Sequence, residues 1–130
     1  MSLGDFVQSG DWKGEKHVPV IEAPEKVASG EAFEVKLCVG KEIAHPNTPA
    51  HYIKWIKLYF VQEGGKFAVE LANLAFDVHA DTADAAKPGP AIADPFGSVK
   101  IKLTAGGTLI AQSYCNIHGL WENSKTIKVG

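Results

Sequence analysis

Along most of this chain apolar and polar residues alternate with a period of two, the pattern of a strand with one buried and one wet face. Phe33, Val35, Leu37 and Val39 fall on one side of such a repeat, and Glu34, Lys36 and Cys38 on the other. The same alternation predicts strands over residues 18–21, 53–61, 66–76, 99–103, 108–114 and 126–129, separated by Gly, Pro and Asn clusters. Within the third of these, Val69, Leu71, Ala72, Leu74 and Ala75 also make a stripe at helical spacing, so strand and helix compete there. Glu63-Gly64-Gly65-Lys66 and Ala105-Gly106-Gly107-Thr108 read as hairpin turns, because paired glycines accept the positive φ that tight loops demand. Residues 80–97, rich in Ala, Asp, Pro and Gly and lacking any period, read as one long surface loop. About seven short strands at this spacing predict an all-β fold, an immunoglobulin-like antiparallel sandwich whose strand order the pattern leaves open.

Composition narrows the partners rather than the fold. The 130 residues fit one domain spanning 1–130, long enough to bury a substantial core. A formal net charge of -2 provides no basic footprint, so nucleic acid and anionic membrane are poor partners. The opening Met-Ser-Leu-Gly-Asp-Phe carries neither the charged nor the apolar region of a signal peptide, and no apolar run reaches the length of a membrane span. A cytoplasmic location is expected. In that reducing compartment Cys38 and Cys115 are ligands, nucleophiles or core residues more often than halves of a disulfide, with a Cys38–Cys115 bridge as the minor alternative.

Four of the five histidines and one of the two cysteines gather in three short stretches. These are Glu15-Lys16-His17-Val18-Pro19, the run from His45 to His51 followed by Tyr52, and Cys115-Asn116-Ile117-His118-Gly119. In the last, two ligand atoms straddle a single turn, with Gly119 free to take positive φ where the chain leaves it. In the second, Pro46 and Pro49 stiffen the connection, so less entropy is lost when both imidazoles are fixed on one ion. In the first, extended backbone would put Glu15 and His17 on one side and Lys16 on the other; both Glu15 and Lys16 can serve one site only from an irregular loop, with Gly14 as pivot. His79 has no neighbouring ligand type and reads as a solvated or hydrogen-bonded residue outside the site. Cys38 reads as a small packed hydrophobe, and Trp55 and Trp121 as core or site-covering aromatics. Taken together, the three stretches favour a metal site of imidazoles and one thiolate.

In order and in residue content these stretches, with Asn47-Thr48-Pro49-x-His51-x-Ile53-x-Trp55-Ile56 completing the second and Leu120-Trp121 the third, resemble the signature segments of superoxide reductases. The likeness spans nearly the whole chain, and with no Cys-x-x-Cys present it is to the single-iron neelaredoxin type rather than to the two-domain desulfoferrodoxins. The resemblance implies a mononuclear iron held by His17, His45, His51 and His118 in the equatorial plane and by Cys115 on the axis. It makes Glu15 the carboxylate that closes the sixth position in the ferric state and Lys16 the cation beside it, the two residues that assist reduction of superoxide to hydrogen peroxide. It further implies a rubredoxin or similar small electron donor and a homotetramer. Two other classes stay open on the residues alone: a cupredoxin-like electron carrier, although the only methionine is Met1, and a zinc-stabilised sandwich using three histidines and Cys115.

Overall fold

A computed structural model describes residues 1–84 and 86–130; residue 85, inside the expected loop, lies outside the described residues. Among the described residues, after a short 3-10 turn over Leu3–Phe6, eight strands follow: β1 (Val20–Glu22), β2 (Lys26–Val27), β3 (Phe33–Cys38), β4 (Ile53–Gln62), β5 (Val69–Ala75), β6 (Phe96–Ile101), β7 (Gly107–Cys115) and β8 (Gly119–Val129). They form two sheets, ordered β1-β3-β6 and β2-β8-β7-β4-β5. All named pairings are antiparallel except β2 with β8. The sandwich expected from the alternation is thus present. β2 was not anticipated, two residues being too short to show a period, and β8 begins seven residues before its expected start at 126.

Alternation explains what each strand buries. In β7, Leu109, Ala111, Ser113 and Cys115 point inward, while Thr108, Ile110, Gln112 and Tyr114 lie on the less buried face. Val35 and Leu37 of β3 meet Ile56 and Leu58 of β4 and Leu109 of β7 in a common core where none of the five retains exposure. Burying an aliphatic side chain of this size contributes about 1.5–3 kcal/mol, so these few side chains carry a large share of the stability. The competing helical stripe in 69–75 loses because β5 can pair with β4 from Trp55↔Ala75 to Phe60↔Val69.

One expectation is corrected. The Gly106-Gly107 turn does not close a hairpin, since β6 and β7 belong to different sheets. Neither glycine has positive φ. Gly107 is needed for close approach instead: a Cβ there would stand 2.2 Å from the Val61 carbonyl oxygen of β4. Gly64, by contrast, has φ 74° and turns the chain between β4 and β5, with Gly65 N–H donating to the Gln62 carbonyl at 2.7 Å.

Candidate metal centre

The tight hairpin between β7 and β8 is itself the Cys-x-x-His element. Cys115, the last inward residue of β7, pairs with Gly119, the first of β8, and Gly119 reverses the chain with φ 79°. That register brings the His118 backbone N–H to the Cys115 sulfur at 3.4 Å. The segment 39–52 crosses from β3 to β4, hence from one sheet to the other, and delivers His45 and His51 to the same end of the sandwich. Two residues lock it. Gly40 has φ 90°, and any Cβ there would sit 2.8 Å from the His45 nitrogen. Asn116 reaches across from the hairpin, its Oδ1 accepting from Tyr52 N–H at 2.9 Å and its Nδ2 donating to the Ala50 carbonyl at 2.9 Å. A bulge in β4 between Ile53 and Trp55 lies directly after this loop, a common device for re-aiming a chain beside a functional site.

The first stretch folds as turns, not as a strand, with Gly14 and Glu15 N–H groups both donating to the Asp11 carbonyl. It is tied to β7 by Ser113, which is fully buried and donates its hydroxyl to the His17 carbonyl at 2.9 Å. Sequence reading missed Ser113; the available signal was a hydroxyl on the inward face of an otherwise apolar alternation.

The three stretches converge. Neighbouring ring centroids are 4.9 Å apart for His17 and His45, 4.7 Å for His45 and His51, 5.1 Å for His51 and His118, and 4.8 Å for His118 and His17. The His17–His51 distance is 6.5 Å, so the four rings stand in cyclic order as a distorted square. Ligand atoms of His17, His45, His51 and Cys115 all lie within 4.8 Å of one another. His118 is outside that tightest group but joined to it, its Nδ1 lying 3.1 Å from His17 Nε2 and 3.7 Å from Cys115 Sγ.

Hydrogen bonds decide which ring atoms face the centre. The His45 Nδ1–H donates to the Pro46 carbonyl at 2.6 Å, and the His17 Nδ1–H donates to a Glu15 carboxylate oxygen at 2.6 Å. The Nε2 atoms of His45 and His51 are buried without any partner. A buried polar atom left unpaired costs about 1–3 kcal/mol, so two together, each with a lone pair to give, suit a cation as their common partner. Imidazole nitrogens bound at about 2.1 Å and at right angles stand about 3 Å apart, as His17 Nε2 and His118 Nδ1 do. Nitrogen donors with one sulfur suit a first-row transition metal. The residues present fit such an ion.

Electrostatics favours the ligand forms. Burial pushes His45 down to about 4, and burial also lowers His51, which keeps both imidazoles neutral near pH 7. The hydrogen bond from His17 holds the Glu15 carboxyl below its usual range. Glu15 lies behind the His17 ring, away from the cluster, so here it orients His17. Half-buried Lys16 adds positive charge at Glu15, His45 and His51. Trp121 stacks on His17, centroids 4.8 Å apart, and donates its indole N–H to the His118 carbonyl at 3.2 Å. Trp55 is elsewhere, packed near Tyr114 and Lys57. Cys38 is half-buried, and both cysteines are free thiols.

Sandwich and cluster together define a β-sandwich metalloprotein with an imidazole and thiolate centre. The chain matches the desulfoferrodoxin family over residues 9–124, and it belongs to that family. It is 45% identical to neelaredoxin of Megalodesulfovibrio gigas, with 98% of each chain covered. It is 44% identical to superoxide reductase of Pyrococcus furiosus, over 97% of this chain and 99% of that one. A crystal structure from Thermotoga maritima superposes with a TM-score of 0.94 at 46% identity, covering 100% of this chain and 98% of the other.

Proposed function

We propose that this protein is a superoxide reductase, an oxidoreductase that converts superoxide to hydrogen peroxide at a mononuclear iron. The iron would be held by the imidazoles of His17, His45, His51 and His118 and by the Cys115 thiolate. The observation that carries the reading is the square of four imidazoles with two orphaned Nε2 atoms and a buried sulfur beside them. Bound there, iron supplies the single electron that superoxide needs and is returned to the ferrous state by an external donor.

The remaining work falls to the protein. Superoxide must also gain two protons to become hydrogen peroxide. Lys16 draws the anion by its charge, and its ammonium gives one of the two protons, directly or through water, with solvent supplying the other. Asn116, Ser113 and Trp121 hold the ligand-bearing segments in place, so little reorganisation accompanies the reaction. Glu15 selects the His17 tautomer that presents Nε2 inward, and, carried on the turn over residues 12–14, it would be a further carboxylate ligand for the ion when its bond to His17 is released.

A small electron carrier of the rubredoxin kind fits the redox demand, and exposed Ile117 next to His118 offers it an apolar landing point. The chain assembles as a homotetramer; exposed Phe67, just before the edge strand β5, and Val69, its first residue, offer apolar surface for a contact between copies. The chain acts as one domain over 1–130. No described helix is long and apolar enough to cross a membrane. A reducing cytoplasm suits the two free thiols.

Anaerobic mixing of iron-loaded protein with superoxide is the test. Peroxide without matching dioxygen is the expected product; dioxygen in equal yield means dismutation and overturns the reading. Metal analysis with visible spectroscopy separates the other classes, since thiolate-ligated ferric iron is coloured, blue copper absorbs differently and zinc is silent.

A further inference from the structure

His79 is the fifth histidine and belongs to none of the three ligand-bearing stretches. It is 4% exposed, yet both ring nitrogens are engaged: Nδ1 lies 2.8 Å from Asn47 Oδ1 and Nε2 lies 2.8 Å from the Phe76 carbonyl oxygen. The ring also stacks on Tyr52, centroids 4.0 Å apart and planes 9° from parallel. Asn47 and Tyr52 are the loop residues that flank His51 and follow His45. Asn47 is oriented from its other side as well, because its Nδ2 donates to the Ala93 carbonyl at 3.0 Å. The segment that carries His79 is rigid, bridged through His79↔Ile92 and through the Ala93 N–H to Val78 carbonyl and Ala80 N–H to Ala91 carbonyl bonds, each 2.9 Å.

We infer that His79 is a positioning residue for the metal centre: by holding Asn47 through Nδ1 and Tyr52 by stacking, it fixes the loop that aims His45 and His51 at one point. The inference rests on the reading of His45 and His51 as ligands. Its physical basis is that two ligands six residues apart lose the advantage of a stiffened connection if the backbone between them can drift. Asn47, two residues beyond His45 and four before His51, is where one side chain restrains both. Partners hydrogen-bonded directly to a ligand typically cost about 10–100-fold in metal affinity when removed, and His79 acts one side chain further out, toward the lower end of that range.

The experiment is anaerobic competition for ferrous iron against a chelator of known affinity, read alongside the visible absorption band of the ferric protein. His79→Phe keeps a ring against Tyr52 and removes both polar contacts. We expect it to weaken ferrous binding about 10-fold and to shift the band, with His79→Asn, whose amide nitrogen stands near the Nδ1 position, recovering most of both. Asn47→Ala should give the same loss, and the double variant no more than either alone, because both cut one link. A core variant such as Ile127→Val lowers stability but leaves affinity and band unchanged, which separates positioning from general weakening. Wild-type affinity and band in His79→Phe, or additive losses in the double variant, overturn the inference. If His79→Phe does not fold, Asn47→Ala reads the same link from the loop, and wild-type binding there overturns it equally. His51→Ala distinguishes the underlying reading: iron held at wild-type affinity in that variant would remove His51 from the ligand set itself.

Discussion

In the proposed centre Lys16 contributes by charge, without binding the metal. Its charge acts on Glu15, His45 and His51, so Lys16→Ala should slow the second-order reaction with superoxide by about a hundredfold, the lower end of what a positioned proton donor supplies. Iron content should be unchanged by metal analysis; full activity in pulse radiolysis would take Lys16 out of the mechanism. His45 sets a pH dependence. Its folded value of about 4 lies below the ordinary histidine value of about 6.5, so the unfolded chain binds more protons between those pH values. Stability of the metal-free protein should therefore be full above about pH 6.5 and decline by up to about 1.4 kcal/mol per unit as pH falls toward 4. Urea titrations of the metal-free protein across that range check the sign. At this scale the sequence was informative where residue type alone speaks, as with Cys115 and His118. It was silent on Ser113 and His79, whose roles depend on partners 96 and 32 residues away.

The β7–β8 hairpin is the element on which the site turns, and the glycine that closes its turn permits it. Gly119 at φ 79° has open space around its would-be Cβ, so a substitution there meets backbone strain and no clash. Gly119→Ala should cost about 1–2 kcal/mol of stability by chemical denaturation and loosen iron, since the same turn spaces Cys115 from His118. Gly107→Ala tests a different cause, because its Cβ would collide with the Val61 carbonyl oxygen in the adjacent strand. It should destabilise more than Gly119→Ala and leave the iron affinity of the folded fraction unchanged. Alternation made most strands legible, β3 and β7 above all. It could not separate a glycine that bends from one that lets two strands approach, since both look alike in sequence. Nor could it reveal β2, whose two residues pair with the far end of β8.

For the molecule as a whole, the centre joins three distant segments at one end of the sandwich, so metal and fold should be thermodynamically linked. Removing iron leaves two buried imidazole nitrogens unpaired and withdraws the mass-action term that binding adds to stability, which reaches about 4 kcal/mol when free metal is a thousandfold above Kd. Calorimetry should show a lower Tm for the metal-free protein, restored by ferrous iron, and no shift between the two forms in His51→Ala. The sequence by itself determined that the chain is a β-sandwich and which side chains have metal-binding chemistry, because side-chain period and residue type are local properties. Tertiary structure decided the rest: that the rings stand in a square, that Nε2 of His45 and His51 and Nδ1 of His118 point inward, and that Glu15 sits behind His17. Those facts depend on how β3, β4, β7 and β8 are ordered across two sheets and on hydrogen bonds spanning dozens of residues, neither of which is encoded in any single stretch of the chain.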